Sequence, residues 1–146
     1  MKISMRGRFV TDLAVAALIA AVTAAGYLGW LGWDRNKDVQ RDGHVSGPYQ
    51  AWQVIGLALM LGAVAVAAGL REHPVAAVLS ITITMTVCFS ITGATEADGD
   101  GLWPVGAVLV AIGTFFGIAF VAGLAYAFRV LAQPDRLVRP IGTDRP

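Results

Sequence analysis

The chain has 146 residues, 56% of them hydrophobic and 14% charged, with a formal net charge of +1. That balance excludes an ordinary soluble domain and lacks the basic excess that a nucleic-acid partner requires. The single cysteine, Cys88, excludes an intrachain disulfide and a Cys-x-x-Cys redox pair.

Four apolar segments fill most of the length and leave no room for a soluble catalytic module. The expected fold class is all-α: a membrane protein of four transmembrane helices in an up-down bundle, at about residues 10–33, 52–70, 74–95 and 102–128. Residues 1–8 carry Lys2, Arg6 and Arg8 directly before the first apolar run, which reads as a cytoplasmic anchor. Thr23 and Ala25 would suit a signal-peptide cleavage site, but the run exceeds the usual 7–15 apolar residues and is expected to be retained. Thr11 is placed to cap this helix and Asp12 to meet its positive end, with Arg8 one turn back. A proton-coupling carboxylate would stand about two turns deeper, near the midplane.

The outer loop, residues 34–51, is the longest connection and the expected place for recognition. Asp34, Asn36 and Asp38 have the spacing that opens an EF-hand calcium loop. The match fails at its sixth and twelfth positions, where Val39 replaces the required Gly and Val45 the bidentate Glu, so a solvated loop of alternating charge is expected. Trp30 and Trp33 end the first span, Tyr49 and Trp52 open the second, and Trp103 opens the fourth. Rings of this kind favour the headgroup level, so these five residues are expected to mark the outer boundary.

The second span carries a small-residue stripe of Ala58, Gly62, Ala65 and Gly69, expected to pack closely against another helix. Arg71, Glu72 and His73 are the only polar break before Pro74, which suits a first helical turn, so the second and third spans form a tight antiparallel hairpin. His73 is expected to be solvated at this junction. The third span is threaded with Ser80, Thr82, Thr84, Thr86, Cys88, Ser90, Thr92 and Thr95. At 100° per residue, Ser80, Thr84, Cys88 and Thr92 share one stripe, and Thr82, Thr86 and Ser90 another. The preferred reading is that their hydroxyls bond the carbonyl one turn back and let neighbours approach, each interhelical bond contributing about 0.6 kcal/mol. The alternative is a polar path for a neutral solute.

Residues 96–101 form a short acidic, glycine-rich turn. The fourth span holds Gly113 and Gly117 at G-x-x-x-G spacing, with Gly106 on the same face, and packing within the chain is preferred over a dimer seam. Residues 129–146, with Pro134, Pro140 and Pro146, read as a disordered cytoplasmic tail.

Lys2, Arg6, Arg8, Arg71, Arg129, Arg136, Arg139 and Arg145 fall on one side of the membrane, and Arg35, Lys37 and Arg41 on the other. Both termini are therefore expected in the cytoplasm of a plasma-membrane protein. His44 and His73 lie on opposite sides and cannot jointly hold a metal or haem, and no span contains a histidine to ligate a bundle haem. No cofactor is expected. Small multidrug carriers share this length and helix number, but their first-helix carboxylate has no match here. Ser80 and Ser90 have no histidine in reach along their span, so an enzyme is not expected.

The segment Gly47-Pro48-Tyr49-Gln50-Ala51-Trp52-Gln53-Val54, after the Asp-rich loop that follows Trp33-Asp34, resembles small four-span membrane proteins of high-GC actinobacteria. The resemblance covers nearly the whole chain and implies location and topology. Physically, Gly47-Pro48 returns the loop to the membrane, Tyr49 and Trp52 anchor one helix face, and Gln53 is placed to bond across to the first helix. The expected function is that of a non-catalytic accessory or structural membrane component whose partners are the bilayer and a membrane protein or second copy. The alternative is a small transporter or channel using the third helix.

Overall fold

The computed structural model describes residues 5–32, 50–95 and 101–132, with side chains from residue 10 onward. It contains α1 (Met5–Leu31), α2 (Ala51–Leu70), α3 (Pro74–Thr95) and α4 (Trp103–Leu131). All four are long and apolar enough to cross a membrane, and no strand occurs among the described residues. The loop 34–49, the turn 96–100 and the tail beyond 132 lie outside them. So do Trp33, Tyr49, His44, the Asp34-Asn36-Asp38 triplet and Gly47-Pro48.

Two helix boundaries differ from expectation. α1 begins at Met5 and α4 continues to Leu131, because no proline interrupts either end and a helix satisfies its own backbone on both sides of the headgroup level. Thr11 therefore lies inside α1 and is not its N-cap, and Arg129 belongs to the last turn of α4 instead of the tail.

Successive helices run antiparallel. Gly26 of α1 meets Met60 and Leu57 of α2, Gly69 of α2 meets Ala122 of α4, and Gly93 of α3 meets Trp103 of α4. α2 and α3 form the central pair and each packs on every other helix, while α1 and α4 flank them and barely meet. The α3–α4 contact is the most extensive. The axis is closed by small and branched residues: Ala65, Ala77, Ile81 and Ala122 are fully buried, surrounded by Ile19, Leu57, Leu61, Met85 and Ile118. Short side chains at Ala65, Ala77 and Ala122 let backbones approach, the usual source of cohesion where lipid removes the hydrophobic drive between helices. Outside, Phe116, Phe120 and Phe128 are 67%, 71% and 72% exposed. Such a surface would aggregate in water and is at home in hydrocarbon.

Candidate functional site

The polar residues gather at the end of the bundle formed by the α2–α3 junction. α2 closes with a Schellman arrangement: His73 N–H donates to Ala68 O at 2.9 Å and Glu72 N–H to Gly69 O at 3.2 Å. This geometry needs a left-handed residue after the cap, a place glycine usually takes, and here it is Glu72 at φ 68°. The Glu72 carboxylate lies 3.0 Å from the Arg129 guanidinium, which also donates to Leu70 O at the carbonyl end of α2. One side chain of α4 thus neutralises Glu72 and satisfies a helix-terminal carbonyl.

His73 precedes Pro74, the first residue of α3, and its Nδ1 lies 3.3 Å from Asp12 Oδ1 on α1. The expectation of a solvated histidine is thereby corrected: the carboxylate that was to sit at a helix start stands farther along α1 and reaches the junction. Two consecutive residues tie the helices together, Glu72 to α4 and His73 to α1. Arg71, exposed beside them, has no acidic partner among the described residues.

Below Arg71 and His73 the surface between α1 and α2 opens into an apolar groove of about 300 Å³. Ile19 and Ala68 form its buried floor, Val15 and Val64 its partly buried walls, and Leu18, Val22 and Ala67 its exposed rim.

Along α3, Thr86 donates to Thr82 O at 2.8 Å, Ser90 to Thr86 O at 2.7 Å, Thr92 to Cys88 O at 3.0 Å and Thr95 to Ile91 O at 2.9 Å. These hydroxyls spend their protons on their own helix. Thr92 also accepts from the Tyr27 hydroxyl of α1 at 3.1 Å, so one end of the Ser80, Thr84, Cys88 and Thr92 stripe faces α1. Ser80 and Thr84 are half-buried, whereas Thr82 Oγ1 and the fully buried Thr23 Oγ1 have no hydrogen-bond partner. His73 makes no hydrogen bond to Ser80, Ser90 or Cys88, so these described residues form no nucleophile–base pair.

The glycines separate into two groups. A Cβ at Gly69 would stand 2.5 Å from Ala122 O, and one at Gly106 would stand 3.0 Å from the Phe89 ring. Both positions are helix contacts. Gly62, Gly113 and Gly117 have nothing within 4 Å of such a Cβ, so the packing within the chain expected of them does not occur. Position on a stripe does not reveal which side of a helix the rest of the bundle covers. At the opposite end from the polar junction, Trp30 meets Trp52 edge to face at 5.9 Å and lies over Gly56, and Trp103 covers Gly93. Gln53 makes no hydrogen bond to α1 among the described residues. Its Oε1 accepts from Gln50 N–H at 2.8 Å, closing the first turn of α2, and its buried Nε2 has no partner.

The sequence reading missed the junction because its pairs join residues 60 or so positions apart, and charge pattern alone does not align helix ends. The adjacent signs in Arg71-Glu72-His73, with Asp12 and Arg129 near the same membrane face, were the available signal. Comparison of the chain with protein-family models, with curated proteins and with solved structures finds no match.

Proposed function

We propose that the chain is a multi-pass plasma-membrane protein with both termini cytoplasmic, acting as a non-catalytic accessory component that engages a membrane-protein partner or second copy through the outer face of α4. The observation that carries this reading is the open space over Gly113 and Gly117, one turn apart on an exposed stretch of α4 that also carries Ile112, Phe116 and Phe120. Two such glycines let a foreign backbone approach closely, and helices that meet this way gain van der Waals contact that lipid does not supply. The distribution of Lys and Arg supports the orientation. Purification in nanodiscs from the native membrane, followed by intact-complex mass measurement, tests the reading. A stoichiometric partner that is lost in Gly117→Leu supports it, and a partner retained by that variant overturns it.

The unpartnered hydroxyls of Thr23 and Thr82 favour a second reading, passage of a neutral solute along a polar interior. It requires the closed axis at Ala65, Ala77, Ile81 and Ala122 to open. Unchanged solute flux in vesicles when Thr82, Thr84 and Thr86 all become Val removes it.

A further inference from the structure

We infer that the groove between α1 and α2 holds one acyl chain of an anionic phospholipid, with the lipid headgroup against Arg71. The groove is apolar along its length and charged at one end only, which is the polarity of a lipid lying along the bilayer normal. Its lining runs from Val15 to Val22 on α1 and from Val64 to Arg71 on α2, about 10 Å of helix at 1.5 Å per residue. The groove offers about 300 Å³ along this apolar lining, room for a hydrocarbon chain.

The charge at the mouth selects the headgroup. Both nearby acids are already engaged, Asp12 with His73 and Glu72 with Arg129, which leaves Arg71 as the cation without an acidic partner among the described residues. A guanidinium at the headgroup level pairs with a phosphate in bidentate fashion, and a net negative headgroup adds attraction that a zwitterionic one lacks. The proposal concerns the leaflet on the Arg71 side, whichever way the protein is inserted.

The test is native mass spectrometry of the full chain in mild detergent, titrated in parallel with palmitoyl-oleoyl phosphatidylglycerol and palmitoyl-oleoyl phosphatidylcholine. The expected result is one retained lipid per chain, with phosphatidylglycerol favoured about five-fold, the scale of one interfacial cation. Arg71→Gln should bring the ratio close to one and Arg71→Lys should keep most of it. Ala67→Phe, which fills the groove below the headgroup, should lower retention of both lipids. If Ala67→Phe aggregates, the two Arg71 variants decide the matter alone, since they change an exposed side chain. Equal retention of the two lipids by the unmodified chain would mark ordinary boundary lipid and overturn the inference. So would a preference that survives Arg71→Gln, retention unaffected by a folded Ala67→Phe, or a lipid-free homodimer that covers the groove.

Discussion

Glu72 occupies a left-handed backbone position at φ 68° while its carboxylate lies 3.0 Å from the Arg129 guanidinium. Two opposed terms meet there. The backbone conformation costs a residue with a Cβ about 1 kcal/mol, and a half-exposed ion pair returns about 0–1 kcal/mol. Glu72→Gly loses the pair and gains the glycine preference, so it should leave stability nearly unchanged. Glu72→Ala loses the pair and keeps the strain, and should be less stable than Glu72→Gly by about 1 kcal/mol. Unfolding in a graded detergent series measures the order, and Glu72→Ala equal to or above Glu72→Gly would refute it.

Arg129 serves two acceptors, the Glu72 carboxylate and the Leu70 carbonyl. Arg129→Ala should therefore cost more than Glu72→Ala, about 1–2 kcal/mol, because it also strands a helix-terminal carbonyl near the headgroups. Arg129→Lys keeps the charge but cannot span both acceptors with one planar fork, and should fall between the native chain and Arg129→Ala. If Arg129→Lys matches the native chain in the same unfolding series, the fork contributes nothing.

The two glycine groups predict opposite outcomes. Gly69→Ala puts a methyl group 2.5 Å from Ala122 O, an atom of the backbone that cannot turn aside, so α2 and α4 must separate. A loss of about 2 kcal/mol or more is expected, in the range of overpacked cores. Gly113→Ala and Gly117→Ala meet nothing within the chain and improve helix propensity, so the isolated protein should unfold no earlier than the native chain. Thermal unfolding of the three variants in one detergent separates these cases, and a large loss in Gly113→Ala or Gly117→Ala would mean that α4 is turned differently.

Helix number, span positions and the apolar exterior were legible in the sequence because lipid imposes length and composition on each segment independently. The self-bonding hydroxyls of Thr86, Ser90 and Thr95 were legible for the same reason, being a contact between a residue and its own preceding turn. Packing partners were not. The second span is apolar on all sides beyond Gln53, so no hydrophobic face tells Gly69, which meets Ala122, from Gly62, which meets nothing. Asp12 with His73 and Tyr27 with Thr92 depend on which helices adjoin, information held in shape complementarity and not in any single segment.

The hydrogen bond from Tyr27 to Thr92 is the interhelical one that this helix arrangement creates between α1 and α3. Tyr27 is almost fully buried, so its ring contributes packing and its hydroxyl the bond. Tyr27→Phe keeps the ring and should cost about 0.6 kcal/mol, with 1.7 as the upper range for such bonds in membrane proteins. Thr92→Val should cost about the same, and the double variant should cost little more than either, since both remove one interaction. Additive losses in that cycle would show that the two hydroxyls do not act on each other.

Cys88 provides a chemical test of placement. It lies seven residues before the end of α3 at Thr95, about 10 Å of helix, and is only partly exposed. A membrane-impermeant maleimide should not modify it in intact vesicles, and full modification should follow only after denaturation in SDS. With Cys88→Ser as background, the same reagent reads orientation at positions outside the spans. Asp98→Cys should react from the external side, and Arg139→Cys only after permeabilisation, because the basic side of the chain is expected to remain in the cytoplasm. The opposite pattern would reverse the orientation. It would also place the Arg71 end of the α1–α2 groove in the outer leaflet without altering its chemistry.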